Sequence, residues 1–148
     1  MKSEKKISLN GSKRYALDTS FLIYHYYKGD EKTLELLHNG VINYVTLSEV
    51  LYVLCRYENL KKALSYIEEI VKLVSIAPSS KISLIAGQFK CKYPIALADC
   101  WVLATAKVYR VPSLFAFREK EIVKHLDLIK KEVEVVFLDE IIDALSAK

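Results

Sequence analysis

From Tyr15 onward the chain alternates short, β-rich apolar runs with longer segments of helical periodicity, and this alternation narrows the possible fold more than any other feature. Tyr15-Ala16-Leu17 reads as a buried strand ending at Asp18, followed by a helix from Phe21 to Lys28 that Gly29 closes. Glu31 to His38 predicts a second helix, stopped by Asn39-Gly40, and Val41-Ile42-Asn43-Tyr44-Val45 is again β-rich. Val50, Leu51, Val53 and Leu54 recur at helical spacing within Leu47 to Tyr57, and Asn59 to Leu73 makes another amphipathic helix. Val74-Ser75-Ile76 predicts a brief strand, Pro78-Ser79-Ser80 opens a helix over Ile82 to Lys92, and Pro94 opens Ile95 to Val108. Strand Ser113 to Ala116, helix Glu121 to Lys130, strand Val133 to Leu138 and a closing helix from Asp139 complete the series. Short apolar strands separated by helices specify a three-layer α/β/α domain with a mostly parallel central sheet. Such sheets bind ligands outside the carboxyl ends of their strands.

The rest of the composition removes whole classes of function. With 148 residues, only 4 Gly and 3 Pro, and no repeat or low-complexity tract, the chain carries no internal linker. One domain over residues 13–148 behind a polar tail at residues 1–12 is expected. Cys55, Cys91 and Cys100 form no CxxC pair and only 3 His accompany them, so neither a zinc cage nor a disulfide framework is encoded. Met1 to Arg14 is charged and polar without the apolar run of a signal peptide, and no stretch of ~18 apolar residues occurs. A cytoplasmic protein without a membrane partner is the expectation. The net charge of +4 permits a polyanionic partner without demanding one. No P-loop, GxGxxG or GxSxG element is present, which leaves nucleotide-driven, dinucleotide and serine-hydrolase chemistry without support.

Three carboxylates stand where local structure does not ask for them. Asp18 directly follows the first strand, at the working edge of an α/β sheet, although Asp18 or Ser20 also suits the cap of the next helix. Glu49 follows the second β-rich run, while Thr46-Leu47-Ser48-Glu49 equally spells a capping box with Thr46 as N-cap. Asp99 has Ile95, Ala96, Val102 and Leu103 as its helical neighbours, so its face is apolar unless the helix starts late with Asp99 as the cap. A lone buried carboxylate costs several kcal/mol, as an order of magnitude, unless it is paired or bound to a metal. Three acidic groups at helix starts along one sheet edge repel each other unless a hard cation neutralises them, which points to Mg²⁺ or Mn²⁺. Without histidine in the set, zinc is disfavoured.

In order and spacing these segments resemble the motifs of the PIN domain, the nuclease fold that includes the VapC toxins of toxin–antitoxin pairs. Leu17-Asp18-Thr19-Ser20-Phe21-Leu22 is similar to the first motif, whose Asp binds metal and whose hydroxyl two residues on supports it. Thr46-Leu47-Ser48-Glu49-Val50-Leu51 resembles the second, and Ala98-Asp99-Cys100-Trp101-Val102-Leu103-Ala104-Thr105-Ala106 the third. The fourth family position is usually a Thr-x-Asp. Val111 to Glu121 contains no aspartate, and Glu119 or, second, Glu121 stands in, unless each is an ordinary first-turn glutamate facing the helix dipole.

The resemblance implies a metal-dependent endoribonuclease. Asp18, Asp99 and one of Glu119 and Glu121 would hold Mg²⁺ or Mn²⁺, with Glu49 as a further ligand or water-orienting group and Ser20 in support. Arg118 and Lys120, nearest the site in sequence, would guide the RNA backbone. A homodimer and a VapB-like antitoxin are implied partners. An RNA-processing PIN nuclease without an antitoxin is the neighbouring alternative, and a PIN-like RNA-binding module that has lost catalysis is the alternative from another class. A haloacid dehalogenase-type phosphatase would need a second Asp where Ser20 stands. Tyr24, Tyr26, Tyr27, Tyr52 and Tyr57 read as core or interface rather than base-stacking groups.

Overall fold

Strands β1 (Tyr15–Leu17), β2 (Gly40–Ile42), β3 (Ser75–Ile76), β4 (Ser113–Phe115) and β5 (Val135–Phe137) form one sheet in the order β3-β2-β1-β4-β5. Every neighbouring pair is parallel, with Ala16 opposite both Val41 and Ser113. The computed structural model describes residues 13–146, and the polar tail expected at residues 1–12 lies outside the described residues. Between the strands run helices α1 (Thr19–Lys28), α2 (Glu31–His38), α3 (Tyr44–Tyr57), α4 (Leu60–Val71), α5 (Ser79–Lys92), α6 (Leu97–Tyr109), α7 (Lys120–Lys124) and α8 (Leu126–Ile129), and α9 (Leu138–Ser146) follows β5.

The period-two alternation of the strands divides the core between the two faces of the sheet. Tyr15, Leu17, Ile42 and Leu114 pack with Phe21, Leu37, Val50, Leu54, Tyr66 and Ile70 of α1–α4. Ala16, Val41, Phe115 and Phe137 pack with Ile82, Phe89, Val102, Leu103, Ile122 and Ile129 of α5–α8. Strands β1, β2 and β4 are buried along their whole length, which is why they are legible at three residues each, whereas the edge strand β3 is half-buried. The β1–β2 pair also requires Gly40, because a Cβ there would lie 2.2 Å from Leu17 Cδ1 and 3.1 Å from the Leu37 carbonyl. Among the described residues no helix is long and apolar enough to cross a membrane.

Several boundaries differ from the sequence expectation, each for a local reason. Helix α1 begins at Thr19 rather than Phe21 because the Asp18 carboxylate accepts from Ser20 N. The second β-rich run ends at Ile42, and Asn43, not Thr46, caps α3, its Oδ1 accepting from Thr46 N at 2.8 Å. The expected helix from Glu121 to Lys130 is broken at His125, where α7 ends and α8 starts. Helix α6 starts at Leu97, so Asp99 sits in its first turn rather than at the cap.

Asn43 has a second bond that joins the two helical layers. Its Nδ2 donates to Thr105 Oγ1 at 3.0 Å, and Thr105 donates to Trp101 O at 2.7 Å, with both residues buried. Asn43 thereby fixes the start of α3, which carries Glu49, against α6, which carries Asp99. Asn43→Ala removes the cap and strands the Thr105 acceptor, and is expected to cost about 1–3 kcal/mol in urea unfolding. Asn43→Ser, which keeps a capping oxygen, is expected to recover part of that loss.

Candidate metal centre

The order of the sheet places its switch point at β1 and β4, where the chain turns to opposite sides of the sheet after successive strands. Asp18 leaves β1 there, its N–H donating to Leu114 O at 2.9 Å and its carboxylate accepting from Ser20 N at 2.9 Å. It is the cap of α1, and its carboxylate also faces the other two acidic groups of the cluster. Asp99 approaches from the first turn of α6, and Glu119 from the end of the loop that follows β4. Each of Asp18, Asp99 and Glu119 offers an oxygen within 4.8 Å of the others. Asp18 and Asp99 are only 3% and 8% exposed, while Glu119 opens to solvent.

Glu49 stands beside this trio rather than in it. The Thr19 hydroxyl donates to Glu49 Oε1 at 2.5 Å, which ties α3 to the first turn of α1. Ser20 acts on the other side, its Oγ accepting from Ala116 N at 2.9 Å and holding the end of β4 to the start of α1. The part played by Thr19 was not legible in the sequence, because nothing local connects it to a residue thirty positions away.

Crowding the carboxylates at a buried edge raises their proton affinity. Burial pushes the Asp18 carboxyl up from 3.8 to about 7; the Ser20 hydrogen bonds oppose the shift, and the charges of Glu119 and Glu49 add to it. Burial also pushes Asp99 up to about 8, reinforced by Asp18, Glu119 and Glu49. Glu119 is raised by its own burial and then by Glu49. The donors are oxygen alone, with no His or Cys among them, so the set fits a hard divalent cation such as Mg²⁺ or Mn²⁺. A cation there would supply the counter-charge that lets the carboxyls ionise together.

The remaining sequence candidates fall outside the trio. Glu121 is exposed in the first turn of α7, while Glu119 supplies the third oxygen. Arg118 is held by acidic partners, its Nη1 donating to Asp139 Oδ2 and its Nη2 lying 3.7 Å from Glu140 Oε2. Lys120 is exposed at the start of α7.

The geometry has clear relatives. VapBC from Salmonella typhimurium bound to DNA superposes with a TM-score of 0.67 at 15% identity, over 84% of this chain and 97% of that chain. VapBC2 from Rickettsia felis bound to a promoter DNA fragment gives 0.65 at 16% identity, over 84% and 98%. VapBC-1 from nontypeable Haemophilus influenzae gives 0.59 at 21% identity, over 84% and 97%. At these identities the likeness is one of fold. No curated protein matches the sequence significantly. The family model of the PIN domain matches residues 15–125, from β1 past the Glu119 loop and through Asp18, Glu49, Asp99 and Glu119, and the chain belongs to the PIN domain family.

Proposed function

We propose that this chain is a divalent-metal-dependent endoribonuclease of the VapC type, acting as a homodimer and restrained by a VapB-like antitoxin. The observation that carries the proposal is the convergence of Asp18, Asp99 and Glu119 at the switch point of a PIN-domain sheet. PIN domains are generally nucleases, and the structural neighbours are toxin–antitoxin complexes. Helices α3 and α4 expose Tyr52, Tyr57, Leu60 and Leu64, apolar side chains that a second protomer or an antitoxin segment would cover.

In this reading Asp18, Asp99 and Glu119 hold Mg²⁺ or Mn²⁺. When bound, such a cation supplies an activated water and offsets the charge of the phosphoryl oxygens during hydrolysis. The protein's own groups do the positioning. The Ser20 N–H fixes the Asp18 carboxylate, and the Thr19 hydroxyl occupies Glu49 Oε1, leaving Oε2 to orient a water. Lys120 lies next to Glu119 on the exposed rim and is the side chain we assign to the RNA backbone.

Cleavage of end-labelled structured RNAs with Mg²⁺ or Mn²⁺ tests the proposal, with EDTA controls and with Asp18→Asn and Asp99→Asn proteins prepared identically. Metal-dependent cutting that falls roughly 10²-fold or more in both variants is expected. Equal cutting by wild type and variants would mark a contaminating ribonuclease. RNA binding without cutting would favour the binding module.

A second test uses stability. Well below the ordinary value of 3.8 the Asp18 and Asp99 carboxyls are protonated in both folded and unfolded chains. Between there and about 8 the unfolded chain releases protons that the folded one retains, so rising pH destabilises the metal-free fold. Glu132 works in the opposite sense at the acid end: hydrogen bonds from Lys92, Lys107 and Tyr93 outweigh its burial and draw it down to about 2, so its contribution is lost only as pH falls below the ordinary glutamate range. The melting temperature in EDTA is therefore expected to fall from pH 5 to pH 8, less steeply in Asp99→Asn. Mn²⁺ is expected to raise it more at pH 8 than at pH 6, since a ligand bound only by the native state stabilises it. Stability independent of both pH and Mn²⁺ in this range would contradict the assigned site.

A further inference from the structure

Glu119 differs from its two partners in how it is held. Asp18 is fixed by a backbone N–H and Asp99 rides on the long helix α6, but the Glu119 carboxylate has no hydrogen bond among the described residues. Its backbone is held on one side by α7, whose Val123 N–H donates to Glu119 O at 3.0 Å, and on the other by the loop of residues 116–119, which has no ladder or helix of its own. Each of the three residues before Glu119 is anchored to a different place. Ala116 N donates to Ser20 Oγ at 2.9 Å. The Phe117 ring meets Tyr24 edge-on, with centroids 6.3 Å apart. Arg118 reaches the opposite element: its guanidinium lies 4.7 Å from the centroid of Phe137 on β5 and bridges Asp139 and Glu140 in the first turn of α9. Glu140 is itself fixed, accepting from Phe137 N at 2.8 Å.

A guanidinium between two carboxylates and over an aromatic face has its charge largely neutralised and its planar fork committed. That is a poor arrangement for capturing a phosphate and a good one for fixing a backbone. We infer that Arg118 is a positioning residue, clamping the Glu119 loop to β5 and α9 so that Glu119 arrives at the metal in register with Asp18 and Asp99. The inference rests on the metal reading of the previous section and reassigns Arg118 from the RNA backbone to the metal ligand.

The test is the Mn²⁺ affinity of the full chain, read as Mn²⁺-dependent thermal stabilisation in wild type, Arg118→Ala, Arg118→Lys, Asp139→Ala, Glu119→Ala and the Arg118→Ala/Glu119→Ala double variant. Arg118→Ala is expected to weaken Mn²⁺ binding roughly tenfold, with Asp139→Ala following in the same direction and Arg118→Lys falling between. Melting in EDTA is expected to change little, since an exposed ion pair contributes little to global stability. In the Glu119→Ala background the Arg118 substitution is expected to have no further effect on Mn²⁺ binding, because it acts only through that ligand. Binding of a single-stranded RNA oligonucleotide in EDTA separates the clamp from a phosphate contact by Arg118: a lost phosphate contact lowers the salt slope by about one, whereas an unchanged slope is expected here.

Unchanged Mn²⁺ affinity in Arg118→Ala, or additive losses in the double variant, would overturn the clamp while leaving the metal site standing. Absence of any Mn²⁺ effect in wild type would instead remove the metal site and the clamp together.

Discussion

The parallel pairing of β1 with β4 is the contact on which the rest of the site depends. The strands meet at Ala16–Ser113 and Leu17–Leu114, and the ladder continues past them, first as Asp18 N to Leu114 O and then through a side chain, as Ala116 N to Ser20 Oγ. Two chain segments nearly a hundred residues apart are thereby held in register just where each delivers a carboxylate. The third carboxylate needs a different device, because α6 does not follow a strand. Its apolar packing among Val102, Leu103, Ala104 and Ala106 sets its depth, and the Asn43–Thr105 bond sets it against α3.

This arrangement runs against stability. Buried carboxyls that raise one another's proton affinity make the fold less secure as they ionise, and the surrounding structure must offset that. The offset is visible on both faces of the sheet: Phe21, Leu22, Val50 and Leu54 on one side and Phe89, Leu103 and Phe115 on the other are almost wholly buried. Asp18 and Asp99 are carboxyls buried at the edge of a well-packed sheet, where desolvation first and the neighbouring carboxylates second raise their proton affinity, and that contrast with the apolar core is what singles the cluster out.

The parts of the site legible in the sequence are those where a residue conflicts with its own neighbours. Asp99 among Ile95, Ala96, Val102 and Leu103 has no local justification, and Asp18 after a buried strand has only a partial one. The short strands were legible for the same reason, since uninterrupted apolar runs bounded by polar residues leave few alternatives. Glu49 shows where local logic stops. Thr46 and Glu49 have the spacing of a capping box, but Asn43 makes an equally good cap and also reaches Thr105, sixty-two positions away. The tertiary bond decides between them, and Thr46 Oγ1 is left buried without a partner. The break at His125 and the pairing of Arg118 with α9 were illegible on the same ground, being consequences of how distant elements fold back.

In the proposed site Glu119 takes the fourth acidic position, which changes what must be held. A short side chain on a strand end is positioned by the strand, whereas a longer one at the end of an irregular loop inherits every freedom of that loop. Three consecutive anchors, from Ser20, Tyr24 and the α9 carboxylates, remove that freedom residue by residue before the ligand is reached. Two of them come from α1, whose cap is Asp18, so Glu119 and Asp18 are referred to the same helix. The third comes from β5 and α9, a part of the chain that contributes no carboxylate to the trio. Its proximity to the site is explained if its task is to complete the geometry of a ligand it never touches.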